Sequence, residues 1–416
     1  MLYNITNKSY WKTFTLGLIA FMLVVLIIKY PQIAFQSSLK GLTTWWEVVF
    51  PALLPFFIVS EILMGLGVVH LMSVLLEPFM RPVFNVPGSG AFVLTMGLSS
   101  GYPISSKITT RLREQGLVTR VEGERLVCFT TTSDPLFMFG AIAVGFFHNP
   151  ALGIIIIVAH YAAAILLGLI MRFYERNSSP TISASSTNHE FIIIRAIKAM
   201  HRARLKDSRP LGKLLGDSVI SSLHTIALIG GFMILMSVVL AMLDAIQITS
   251  ILSYIFSFIL SIIGISPDLS IALVSGLFEV TLGSQQASIV NNSMLIEKVI
   301  IVSVILAWGG LSVHAQIAAI LSTTDLRYKP FALTRIIHAL FASIITLVIW
   351  DPLTTYFYHN SLPVFLITNL DTPSLLKNSI WSYWQLMSLI SISVLIVIFI
   401  ASMLINITKT LFANGK

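Results

Sequence analysis

An all-α polytopic membrane protein is the fold class that the sequence predicts, and three observations predict it. Hydrophobic residues fill 56% of the 416 positions and charged residues only 11%, where a soluble domain carries about a quarter charged. Apolar stretches at Phe14 to Tyr30, 47–69, 151–173, 218–243 and 384–406 approach or exceed the ~20 residues that cross a bilayer as helix, whereas barrel strands are shorter and alternate in polarity. The hydropathy order of 47–173 (helix, short amphipathic segment, broken hairpin, broken helix, helix) returns in 226–350. The fold expected is two inverted repeats, each containing a re-entrant hairpin and a broken transmembrane helix.

In chain order, 1–46 is read as an N-terminal transmembrane helix with its connector. Lys8 and Lys12 precede the first apolar run in the manner of a signal peptide. No small-x-small cleavage site follows, which favours an uncleaved helix. The first repeat is bounded at 47–173 and the second at 215–350. A shift of 179 residues lays Leu94, Gly97, Leu98 and Ser105 on Leu273, Gly276, Leu277 and Ser284. Three crossings per copy make the second copy enter from the opposite face, as in secondary transporters whose site lies at the repeat interface. Between them, 174–214 is a basic cytoplasmic linker. Its Phe191 to Lys206 part has the pattern of an amphipathic helix on the membrane surface. An external loop and a last helix occupy 351–416. The segment 248–265 is read as lying along the membrane or crossing it.

Charge gives the orientation. Of the 26 Lys and Arg, only Lys29, Lys40, Lys298 and Lys377 fall away from the side holding both termini. Positive charge is retained in the cytoplasm, so both termini are expected there. The basic excess of +8 is thereby explained by topology, and no nucleic-acid partner is implied. The single cysteine, Cys128, excludes an internal disulfide and a Cys-rich metal site. The expected partners are the lipid bilayer and a small solute, and a homo-oligomer is compatible with the sequence.

The chemistry is expected at two hairpins and two helix breaks. In 90–116, Gly97, Gly101 and Pro103 interrupt an apolar run too short to cross. Non-helical backbone at membrane depth survives where it is buried in protein or lines a wet cavity. The hydroxyls of Ser99, Ser100, Ser105 and Ser106, the turn at Gly101 and Tyr102, and a helix N-terminus restarting after Pro103 would suit an anionic group. In 269–288, Phe278 and Glu279 stand at the second tip, with Thr281 close behind. No Lys or Arg occurs between Lys213 and Lys298. Glu279 is therefore expected to be protonated, to bind a cation or to hold solute.

The first break, Thr130 to Pro135, places Thr131, Thr132, Ser133 and Asp134 inside an apolar span, and the second supplies Ser312 and His314 beside Gly309 and Gly310. Substrate contacts are assigned to Ser99, Ser100, Gly101, Tyr102, Ser105, Ser106, Thr131, Thr132, Phe278, Glu279, Thr281 and Ser312. Coupling by Na⁺ or H⁺ is assigned to Ser133, Asp134, Glu279 and His314, with no other cofactor and no metal centre. Glu61 is read as a coupling residue or as paired with an Arg, Trp45 and Trp46 as interfacial anchors, and His160 and His224 as helix–helix hydrogen bonders. GLSSGYP departs from the GxSG of rhomboid-type proteases because Ser100 stands where the second glycine belongs, and no enzyme is expected.

On PALLPFFIVSEIL, GLSSGYPISSK, TTTSDPLFMFG and GLFEVTLGSQ, the chain resembles the sporulation integral membrane protein family typified by YlbJ, over roughly 45–350. That family carries the Gate, or nucleoside-recognition, domain and is similar to concentrative nucleoside transporters. The resemblance implies movement of dipicolinic acid from mother cell toward forespore across the outer forespore membrane, with other sporulation membrane proteins as partners. It also supports Ser99 to Tyr102, Thr131 to Asp134 and Glu279 as site positions. The Ser-rich first tip departs from the nucleoside-transporter pattern. The alternatives are a nucleoside transporter and a non-transporting assembly factor.

Overall fold

In a computed structural model, residues 7–181 and 191–358 are described. The expected last helix at 384–406 and most of the Ser/Thr-rich linker lie outside them. Every regular element described is helical: α1 (Asn7–Lys29), α2 (Pro31–Gly65), α3 (Val68–Phe79), α4 (Gly90–Ser100), α5 (Ile104–Glu114), α6 (Arg120–Thr130), α7 (Phe137–Phe146), α8 (Pro150–Met171), α9 (Ile192–Asp207), α10 (Leu211–Ala245), α11 (Ile248–Ile262), α12 (Ser270–Phe278), α13 (Val280–Ile289), α14 (Leu295–Trp308), α15 (Gly310–Leu321) and α16 (Tyr328–Tyr358). Helices are what a bilayer demands, since all backbone bonds close within the segment. Among the described residues, five helical stretches are long and apolar enough to span: Pro31–Gly65, Pro150–Met171, Leu211–Ala245, Leu295–Leu321 and Tyr328–Thr355.

The longest pair, α2 and α10, runs side by side. Each has 35 residues, about 52 Å of helix. Residues 31–46, expected as a connector, instead continue into the span. Close backbone approach explains this: a Cβ on Gly41 would lie 3.2 Å from the Ile234 Cα. Trp45, expected as an interfacial anchor, turns inward and donates its indole N–H to the Ile226 carbonyl at 2.9 Å. Trp46 keeps an exposed face. Glu61, expected as a coupling residue or the partner of an Arg, accepts from the Ser221 hydroxyl at 3.0 Å.

Against this pair stand the two hairpins and their broken helices, in the same order twice. The first set is α4–α5, then α6–α7 with residues 131–134 unwound between them, then α8; the second is α12–α13, then α14–α15 broken at Gly309, then α16. An apolar core shared by α2, α7, α8, α12, α13 and α14 joins the sets. The amphipathic α9 is present, but it packs on α3, where Ile192 and Ala196 are buried and Arg195 pairs with Glu77 at 3.0 Å. Part of the apolar face expected to lie on lipid is thus covered by protein. The segment 248–265 forms a helix of 15 residues, about 22 Å, shorter than a bilayer core.

Candidate functional site

The first hairpin turns where glycine and proline stop it. Gly101 takes φ 66°, ψ −161°, a region that only glycine enters freely, and Pro103 cannot donate to continue the helix. The turn closes onto the first break: a Cβ on Gly101 would sit 3.0 Å from both the amide nitrogen and a carboxylate oxygen of Asp134. Asp134 is 8% exposed. Its Oδ1 accepts the Phe137 amide at 2.7 Å, so the acid serves as N-cap for the helix that restarts after the break.

The second hairpin repeats the device with its parts exchanged. Here the acid is at the tip. Glu279, 7% exposed, is the extended residue between α12 and α13. It accepts the Leu282 amide at 2.8 Å and the Thr281 hydroxyl at 3.0 Å. Its break is a single residue, Gly309 at φ 88°, followed by Gly310 at φ 72°. A Cβ on Gly310 would press within 2.9 Å of the Phe278 carbonyl and 3.2 Å of the Glu279 Cα. Trp308 fastens the same tip by donating to the Leu277 carbonyl at 3.2 Å.

One residue links the first tip to the second break. The Tyr102 hydroxyl, from the first tip, donates to the Leu306 carbonyl in the last turn of α14. Its ring edge lies 3.8 Å from where a Gly309 Cβ would be. A continuous set of contacts therefore runs from Asp134 through Gly101, Tyr102 and Gly309 to Gly310 and Glu279. Both acids are buried, and among the described residues neither has a cationic partner.

Other assigned residues divide by position. Ser105, Ser106 and Thr131 form a buried hydroxyl cluster, with Thr131 3.2 and 3.1 Å from the two serines. Thr132 donates to the Gly97 carbonyl at 3.3 Å. These groups hold hairpin to break. Ser99 donates back within α4 to the Met96 carbonyl, and Ser100 looks toward α2, facing the Met64 sulfur at 3.5 Å. Tyr161 bridges the break, donating to the Ser133 carbonyl at 3.0 Å. Ser312 is buried in α15. His314 has both ring nitrogens engaged, with Tyr328 at 2.6 Å and the Trp308 carbonyl at 3.1 Å. His160 accepts the Ser133 amide at 3.1 Å, while His224, expected to bond between helices, points outward. Among the described residues, no three His, Cys, Asp or Glu side chains gather as a metal site.

Two features had no place in the sequence expectations. A cavity of about 790 Å³ opens between the start of α2, the end of α10, α11 and the flank of the second hairpin. Its polar lining includes Ser37, Lys40, Ser257, Ser275, Gln285 and Gln286. Ser275 and Leu282, which both line it, also hold Glu279: Ser275 accepts the Glu279 amide at 2.9 Å and Leu282 donates to its carboxylate. The second feature is a buried arginine, Arg335, donating to the carbonyls of Thr131 (2.7 Å) and Cys128. An arginine three residues before a histidine inside an apolar span was the signal, because ionisable groups at membrane depth are costly and mark function.

The architecture defines an integral membrane protein built of paired hairpins and broken helices. A family model described as Gate, nucleoside recognition, matches residues 46–165. The sporulation integral membrane protein YlbJ of Bacillus subtilis (strain 168) is 47% identical over 349 residues, covering 84% of this chain and 85% of that protein. The chain belongs to the sporulation integral membrane protein YlbJ family. Among solved structures, the concentrative nucleoside transporter CNTnw in an inward-facing substrate-bound state is 16% identical with a TM-score of 0.40, covering 84% of this chain and 88% of that one. An intermediate state of the same transporter is 14% identical with a TM-score of 0.43, covering 85% and 89%.

Proposed function

We propose that this protein is a secondary transporter or facilitator for a small anionic heterocycle, dipicolinic acid in the first place, moved from mother cell toward forespore. The observation that carries the proposal is the meeting of two buried hairpin tips with two helix breaks, each half contributing one acid. Unwound backbone of this kind marks solute and ion paths in membrane proteins. The hairpins touch α2 at Met64 and at Thr44, through Ser100 and Gln285. Those points are about 30 Å apart along a helix, which supports hairpins that enter from opposite faces. The cavity beside Glu279 falls within the size range of small-molecule sites, roughly 300–1,000 Å³, and its wall carries one cation, Lys40, together with Asp244 and Asp268. Both termini are cytoplasmic in this proposal, and the membrane is the outer forespore membrane.

The Gate match gives a nucleoside the second place as substrate. Flux of labelled dipicolinate into proteoliposomes separates the two. The expected result is saturable uptake that excess nucleoside leaves unchanged and Glu279→Gln depresses. Nucleoside uptake with no dipicolinate uptake would select the second substrate, and uptake of neither would end the transporter proposal. Labelling of Asp268→Cys and Asp325→Cys from opposite sides tests the topology, with the buried native Cys128 silent.

A further inference from the structure

The first break was expected to offer oxygens to a coupling cation, and a broken helix end does call for one. The carbonyls at a helix C-terminus lack amide partners and carry partial negative charge. In broken-helix transporters, such unwound carbonyls coordinate Na⁺. At the end of α6 two such carbonyls already have a cationic partner from within the chain. Arg335, 1% exposed on the inner face of α16, donates Nη1 to the Thr131 carbonyl at 2.7 Å and Nη2 to the Cys128 carbonyl.

Its surroundings fix it there. Nη1 also stands 3.1 Å from His338 Nδ1, and His338 Nε2 stands 3.0 Å from the His160 carbonyl. A carbonyl only accepts, so that ring carries its proton on Nε2 and leaves Nδ1 free to accept from the guanidinium. The Phe331 ring centroid lies 5.0 Å from the guanidinium carbon. Among the described residues no carboxylate lies within ion-pair distance of Arg335, so the backbone is its counter-charge. Several of the side-chain oxygens that a metal ion would use already hydrogen-bond within the chain. Thr130 bonds the Leu126 carbonyl, Thr131 the two serines, Thr132 the Gly97 carbonyl, and Asp134 caps the restarting helix.

We infer that Arg335 is a tethered cation standing in the place a coupling Na⁺ would take at the first helix break, so that this break binds no sodium and solute movement does not draw on a sodium gradient there. The flux arm of the test rests on the transporter proposal, but the binding arm does not.

In the binding arm, the unfolding midpoint of the purified full-length protein is followed as NaCl replaces choline chloride at constant ionic strength. The parent is expected to show no sodium-specific shift. Arg335→Ala exposes the carbonyls and is expected to unfold at lower temperature, with a saturable recovery of a few degrees on adding Na⁺. Arg335→Lys keeps a cation and is expected to stay sodium-indifferent, which keeps the test informative if the alanine variant does not fold. A sodium-specific rise in the parent that Ser133→Ala or Asp134→Asn abolishes would overturn the inference. So would an Arg335→Ala protein that is as stable as the parent in choline alone. In the flux arm, parent uptake is expected to be equal in Na⁺ and choline. Absence of uptake in both counts against the transporter proposal alone, while the midpoints still decide the role of Arg335.

Discussion

The two hairpin-and-break units solve one problem with their parts exchanged. In the first, the tip is neutral and the acid lies in a wide break of four unwound residues; in the second, the acid is the tip and the break is one glycine. Each acid caps a helix that starts again in the membrane, Asp134 through Phe137 and Glu279 through Leu282. The wide break needs outside support, which His160, Tyr161 and Arg335 provide. The narrow break closes on its own hairpin through Gly310 and Trp308. Both units pack backbone closely on backbone, and the first adds bracing from α8 and α16.

The largest expected effects separate these two kinds of bracing. In the second hairpin a Cβ on Gly283 would lie 2.3 Å from the Gly276 Cα, backbone against backbone with no flexible atom to yield. Gly283→Ala is expected to cost at least the ~1–3 kcal/mol of core overpacking, visible as a lower unfolding midpoint or loss of monodisperse protein. The first hairpin has Ile104 at the matching position, and its close contact is Gly97 against the Thr130 carbonyl, 2.2 Å from an added Cβ. Gly97→Ala should therefore loosen hairpin from break. Equal tolerance of alanine at both glycines would remove the distinction.

Next come the acids. Glu279→Gln and Asp134→Asn retain an oxygen for the cap, so both are expected to fold, whereas the alanine variants lose about 1 kcal/mol of capping. If the charge at the second tip serves the solute path, Glu279→Gln lowers flux about tenfold, equivalent to roughly 1.4 kcal/mol. Asp134→Asn lowers it less. The reverse order would move the working acid to the first half. Tyr102→Phe removes the bond from the first tip to α14 and is expected to cost about 1 kcal/mol.

Much of this was legible in sequence, for a physical reason. Glycine, proline and clustered hydroxyls inside apolar runs have few uses other than breaking helices at depth, so both hairpins, both breaks and the unpaired carboxylate of Glu279 could be read from local residues. The continuity of α2 could not. Ser37, Ser38, Lys40 and Gly41 look like a loop, and only the surface of α10, nearly two hundred residues away, makes them helix. The cavity was hidden for the same reason, since five separate segments build it. Arg335 carried a signal, but its counter-charge is backbone carbonyl, which no side-chain pattern reveals.

The smallest expected effect concerns the contacts that tie the halves together outside the membrane spans. Arg113 grips Asp325 with two bonds of 2.8 and 2.9 Å, and Arg327 grips the buried Glu124 with two of 2.8 Å. The bonded Arg113 holds the Asp325 carboxyl below the usual range. A depressed carboxyl contributes stability above its unfolded value, about 3.9, and loses it as pH falls through the folded value. Between pH 5 and 8 the Arg113–Asp325 pair is therefore expected to be constant. Being exposed, it contributes only about 0–1 kcal/mol and weakens with salt. Asp325→Asn should then shift the midpoint slightly at low salt and not at high salt. Arg327→Ala should shift it further and persist in salt, because it leaves the buried Glu124 carboxylate with only the more distant Arg120, 3.8 Å away. Equal, salt-erased effects in the two variants would mean that both pairs are surface contacts and that the halves are held together within the spans, by Tyr102, Arg335, His338 and the shared core.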